Sequence, residues 1–333
     1  MGTIQEGVKQ AVDNCLRVQA NEQVVIITDK QTNEIGSALK EYISNITENI
    51  QLFVMEDYGQ RPIDFPDTIA DAIRIADVSI YAAQGAKGEL QTFRIPMIRT
   101  IETNKKLRHG HMIGITNEIM QDGMCSDYAE IQRISKLVYE KVKIANKIRV
   151  VTERGSDFTA GFSQELKWVV SDGDIREGFW KNLPDGEVFT APIDVNGTII
   201  IDGCLGDFFT EKYASLEDTP VFIEVINGRA VKETMKCDNK QLLDEFMKYL
   251  FEIDENSNRI GEFAIGTNTG LKKLIYNLLQ DEKFPGIHVA FGSPYPTKTG
   301  ANWESKGHVD GVLIKPSIYI DDEIMMNKGE FCF

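Results

Sequence analysis

Residues 261–311 read GEFAIGTNTGLKKLIYNLLQDEKFPGIHVAFGSPYPTKTGANWESKGHVDG. Three pieces, GEFAIG and GIHVAFG within this stretch and GHVDGVLI running on from its end, are short, glycine-containing and apolar, as strands are. A helical pattern at Leu271–Asp281 falls between the first two. The chain has four histidines, and two of them, His288 and His308, lie here, with Glu262 and Asp310 close by.

Side chains two apart on a strand share a face. His308 and Asp310 therefore project together while Val309 turns away. His288 belongs to a second strand and Glu262 to a third. Imidazole and carboxylate are ligands that zinc accepts at about 2.0–2.2 Å. The same spacing also suits a plain hydrogen bond between His308 and Asp310, with Glu262 at a solvated edge. His-x-Asp alone leaves both readings open.

The 333 residues are enough for about two domains. A net charge of −15 argues against nucleic acid and anionic membranes as partners, because phosphate recognition needs basic patches. Cys15, Cys125, Cys204, Cys237 and Cys332 are far apart and form no CxxC pair. They read as thiols of a reducing compartment. MGTIQEGVKQ lacks the charged-then-apolar pattern of a signal peptide. With no apolar run of the roughly 20 residues that span a bilayer, a cytoplasmic protein is expected.

Upstream the chain alternates strand and helix. Ile4, Val8, Val12 and Leu16 mark a helix over 3–18, and QVVIIT (23–28), QLFVME (51–56) and DVSIYAA (77–83) read as strands. Helices are expected at about 33–44, at DTIADAIRIA and at about 90–104. Repeated units of this kind imply an α/β N-terminal domain with a parallel sheet, placed at 1–125. It carries no G-x-G-x-x-G, no phosphate-binding P-loop and no nucleophile elbow. His109 and His111, in RHGHMIG, follow the basic run KKLR with no cysteine or carboxylate adjoining. They read as a surface approach to a strand at 111–116, with a place lining a cleft between domains as the alternative.

Apolar residues at helical spacing make 126–146 a connecting helix. From 147 to 333 strand-like runs separated by Gly, Asn and Asp turns predict an α+β C-terminal domain. Its sheet is expected to be bent or barrel-like and to carry the metal site. Glu187, after the Pro-Asp-Gly turn of NLPDGEVFTAP, stands at a strand entrance.

The ordered segments NLPDGEVFTAP, RIGEFAIGTN, LLQDEKFPGIHVAFGSPYP and GANWESKGHVD resemble the thermophilic-type metallo-aminopeptidases, the aminopeptidase T and S group. The likeness covers about 180–315. It implies metal ligands at Glu187, Glu262, His288, His308 and Asp310 and an active-site tyrosine at Tyr295. Tyr295 and Glu262 take the catalytic assignments. It further implies two divalent ions per chain (zinc, cobalt or manganese), a peptide substrate cut at its N-terminal residue, and a homodimer. The chain looks shorter than typical members, and Gly311 stands where the family usually has a bulky apolar residue. Glu304, in WESKG, is either an accessory acid or a surface one.

The same fold includes a shorter branch of iron dioxygenases that cleave hydroxylated pyridine rings. Two histidines and one carboxylate would suffice there, and His288, His308 and Asp310 supply them. Three carboxylates with two imidazoles exceed that need and favour two ions about 3.5–4 Å apart. A non-catalytic protein that uses metal as a structural staple is the third reading.

Overall fold

The computed structural model describes residues 2–86 and 88–333. It divides into two compact units. One is Met1–Gln132 with Gly173–Asp185, and the other is Arg133–Asp172 with Gly186–Phe333. The helix Tyr128–Val142 carries the chain from one to the other.

The first unit is built on a parallel sheet, as strand-helix alternation predicts. Its strands are β1 (Val24–Thr28), β2 (Ile50–Val54), β3 (Val78–Ala83) and β4 (Arg108–Ile113), in the order β2-β1-β3-β4. Every residue of β1 and β3 is buried, which explains their unbroken apolar runs. A fifth strand, Trp180–Asn182, pairs parallel to β4. Residues 173–185 thus return to the first sheet, although the sequence reading leaves them in the second domain. A three-residue strand reading WKN has no apolar period to reveal it.

His109 and His111 depart from expectation. The strand begins at Arg108, not at 111, and both imidazoles are buried on one face of β4. Ser79 Oγ lies 2.7 Å from His109 Nδ1, and His109 Nε2 lies 3.3 Å from His111 Nδ1. The His111 ring stacks on Tyr81 with centroids 5.1 Å apart. Partners supplied by β3 are what allow two histidines inside the sheet.

Burial, with the His111 charge added, drives His109 well below the usual imidazole range. Burial and Arg94 bring His111 to about 3. Between that value and about 6.5 the unfolded chain therefore binds more protons than the folded one. The contribution of this buried pair is full above about pH 6.5 and falls as pH drops below it. Going from pH 6.5 to 4.5 is expected to cost on the order of 2–3 kcal/mol for His111, with His109 acting in the same direction. Urea unfolding at the two pH values checks this: His111→Phe, which keeps the ring contact with Tyr81, should lose less stability on acidification than wild type. Equal losses would contradict it.

The second unit holds two antiparallel sheets where one bent or barrel-like sheet was expected. Eight strands form the first, in the order Arg229–Ala230, Val221–Ile226, Asp194–Ile201, Asp157–Gly161, Lys147–Val151, Ser317–Ile320, Glu323–Asn327, Glu330–Phe331. The second sheet runs His308–Leu313, Gly286–Gly292, Ile260–Gly266, Glu187–Thr190, Val169–Ser171. Phe158, Phe162 and Trp168 each meet Phe263 edge-on in the shared core, and Val188, Ile265, Val289, Phe291 and Val309 join it. All of the latter occupy one parity of the five-stranded sheet, so the other parity presents the second face.

Candidate metal centre

Register decides what that second face carries. Residues opposite one another in a ladder share a face. Glu262 pairs with Ala290, which pairs with Asp310. One row over, Phe189, Ala264, His288 and Val312 stand in line. Glu187 pairs with Gly266, and Gly292 with His308. Glu187, Glu262, His288, His308 and Asp310 therefore sit on one face, and Gly266, Ala264, Ala290 and Gly292 between them add almost no bulk. A bulge at Gly261 shifts the register so that Ile260 turns to the core while Glu262 faces the acids and imidazoles.

The five side chains converge. His288 Nε2 lies 3.4 Å from Glu187 Oε2, 3.6 Å from Glu262 Oε1 and 4.0 Å from Asp310 Oδ1. His308 Nε2 lies 3.5 Å from Glu262 Oε2 and 3.3 Å from Asp310 Oδ1. Glu262 thus turns one oxygen to each imidazole. Glu187, Glu262 and His288 can offer donor atoms to one point, and Glu262, His308 and Asp310 to another.

Outer contacts orient these side chains. His308 Nδ1 lies 3.1 Å from the Ser293 carbonyl and donates to it, which leaves Nε2 for the carboxylates. The Tyr249 hydroxyl accepts from His308 N–H at 2.8 Å and donates to His308 C=O at 3.0 Å, fixing the strand at this point. Tyr295 has left-handed backbone (φ 50°) at the start of the short helix Pro296–Thr299, and its ring centroid is 4.6 Å from that of His308. It keeps 37% of its surface exposed, yet burial and then the Glu262 and Asp310 charges push its hydroxyl well above the usual phenol range.

Two neighbours have no forewarning in the strand pattern. Lys283, 1% exposed, donates to Glu187 Oε1 at 2.7 Å and pairs with Glu282 Oε1 at 2.6 Å. Glu282 can join His288 and Asp310 in a third donor group. The segment DEK is visible in sequence, but nothing in its spacing says that its lysine points inward. Glu304 is exposed and lies in none of these groups.

Four carboxylates facing one ammonium and two neutral imidazoles would leave negative charge in a buried place, which protons or cations offset. The histidines register it. Burial lowers both, but the Glu262 hydrogen bond and the Glu187 and Asp310 charges raise His288 to about 9. Asp310 and Glu262 raise His308 to about 10. Burial likewise lifts Glu282 to about 8, and His308 and His288 hold Asp310 at about 2 against its own burial. Such a site stabilises added positive charge, and its oxygen and imidazole donors fit divalent cations.

Gly311 is accounted for by packing. A Cβ there would overlap the Ile201 side chain of the facing sheet, so Ile201 already fills the space a bulky residue would use. Gly311→Ala is expected to cost about 1–3 kcal/mol in urea unfolding, and Ile201→Ala to relieve part of that cost when combined with it. An unchanged midpoint for Gly311→Ala would contradict this packing account.

The family model described as thermophilic metalloprotease (M29) matches residues 127–312, more than half of the chain and all of the convergent side chains. The chain belongs to the M29 family of thermophilic metalloproteases. As an M29 member it is a metallopeptidase, a hydrolase of peptide bonds. Solved structures share the fold, two of them over nearly the whole of both chains. AmpT from Thermus thermophilus matches with TM-score 0.68 at 17% identity, over 99% of this chain and 99% of that one. A 2,5-dihydroxypyridine dioxygenase from Pseudomonas putida KT2440 matches with TM-score 0.70 at 17% identity, over 98% and 96%. No curated protein matches the sequence. Among the described residues no helix is long and apolar enough to cross a membrane.

Proposed function

We propose that this M29 chain is an aminopeptidase that uses two divalent ions, zinc, cobalt or manganese. Glu187, Glu262 and His288 would hold one ion and Glu262, His308 and Asp310 the other, with Glu262 as the bridge. The observation that carries this reading is Glu262 itself, whose two oxygens face two different imidazoles at 3.6 and 3.5 Å. A mononuclear site has no use for such a bridge or for Glu187. Bound there, the ions would supply Lewis acidity for the scissile carbonyl and lower the pKa of a bound water from 15.7 toward ~7.

The chain's own groups have separate tasks. Tyr295, protonated across the neutral range because its pKa is raised, donates a hydrogen bond to the oxyanion that develops on the carbonyl. The surplus of carboxylates attracts the protonated α-amino group of a peptide, which limits cleavage to the first residue. The peptide substrate, a homodimeric assembly and a cytoplasmic location belong to the same proposal. Chelator-sensitive release of the chromophore from aminoacyl anilides tests it. Inactivity with every metal and every aminoacyl group would contradict it.

One observation favours a second reading. His288, His308 and Asp310 alone make the two-histidine, one-carboxylate set of iron oxygenases, and one solved protein of this fold is a 2,5-dihydroxypyridine dioxygenase. That reading predicts iron in the purified protein and oxygen uptake with a dihydroxypyridine.

A further inference from the structure

We propose that Lys283 is a positioning residue of this site, whose ammonium holds one oxygen of Glu187 and so turns the other toward His288. The inference rests on the two-ion reading above. Its geometry is specific: Lys283 Nζ takes Glu187 Oε1 at 2.7 Å, while Glu187 Oε2 is the oxygen that lies 3.4 Å from His288 Nε2. A carboxylate on a flexible stem has several rotamers, and tying one oxygen removes most of that freedom. A buried ammonium between two carboxylates is also the one partner that leaves neither acid uncompensated. Glu282 Oε1, 2.6 Å away, occupies its other side.

The lysine is itself anchored. Its carbonyl accepts Asn268 N–H at 3.0 Å, and its own N–H donates to Gln280 C=O at 2.9 Å. A Cβ at Gly266 would overlap the carbonyl oxygen of Phe284, so the end of the strand Ile260–Gly266 lies directly against this backbone. Thr267 N–H donates to Gly186 C=O at 2.8 Å, next to Glu187. The backbones bearing acid and lysine are thus fastened through residues 266–268. A lysine present only for solubility would need none of this, and a lysine present only to stabilise the fold would have no reason to select the Glu187 oxygen that faces away from His288.

The test is metal binding by the whole chain. Apo protein is titrated with zinc and with manganese, ions per chain are counted, and circular dichroism establishes that each variant is folded. Wild type should bind two ions. Lys283→Met should bind the ion at Glu187 about 10–100-fold more weakly, as loss of a ligand-orienting partner does, and keep the other. Glu187→Gln should weaken the same ion, and Lys283→Met added to it should weaken that ion no further. Lys283→Arg, which keeps the charge, should recover part of the affinity. If Lys283→Met does not fold, Lys283→Gln is read in the same way. A folded variant that binds both ions as tightly as wild type overturns the role of Lys283 and leaves the two-ion reading intact. Wild type binding fewer than two ions overturns that reading first, and the role of Lys283 with it.

Discussion

Glu262→Gln is expected to lower peptide hydrolysis by roughly 10³-fold or more and to reduce bound metal from two ions per chain to no more than one. The size follows from geometry. Glu262 turns a different oxygen to each imidazole, Oε1 3.6 Å from His288 and Oε2 3.5 Å from His308, whereas Asp310 meets both with Oδ1 alone. Glutamine keeps the volume but offers one weak acceptor where two charged oxygens stood. The replaced side chain is 4% exposed and lies among other acids. Because Glu262 also raises both imidazoles, removing its charge leaves them less compensated and should lower apo stability, and a melting curve of the apo variant separates lost metal from lost structure. An active Glu262→Gln protein carrying two ions would refute the bridge.

Tyr295→Phe has a different expected signature. Metal content and KM should stay at wild-type values while kcat falls about 10²–10³-fold, the cost of removing one preorganised oxyanion donor. The ring itself is retained, with its neighbours Phe189 at 6.1 Å and His308 at 4.6 Å. Packing is therefore not the variable. Steady-state kinetics with an aminoacyl anilide, beside metal analysis of the same preparation, provides the check. A rise in KM with kcat unchanged would assign Tyr295 to ground-state binding instead.

Much of the second face was legible because a strand alternates with period two. GIHVAFG and GHVDGVLI each display their polar residues on one parity, and Glu262 and Glu187 fall on the matching parity of their own strands. What spacing could not supply was pairing. That Glu187 stands opposite Gly266, with small residues separating the acids and imidazoles, depends on strands distant in the chain. Lys283 was hidden for a related reason: lysine usually marks a surface, and its partner Glu187 is 96 residues away. Tyr249, which braces His308 from a helix, was equally invisible.

In the first unit the apolar runs of β1 and β3 revealed the parallel sheet, yet the same logic misread β4. Histidine and arginine in RHGHMIG look like a surface approach until Ser79 and Tyr81 of the neighbouring strand are seen to receive the imidazoles. Polar composition reports exposure only where no partner waits inside.

The most direct test of the two-ion centre is an anomalous-scattering map of crystals grown with zinc or manganese. Two peaks per chain are predicted, one bordered by Glu187, His288 and Glu262 and the other by Glu262, His308 and Asp310. A single peak on His288, His308 and Asp310, with Glu187 and Glu262 turned away from it, would contradict the account.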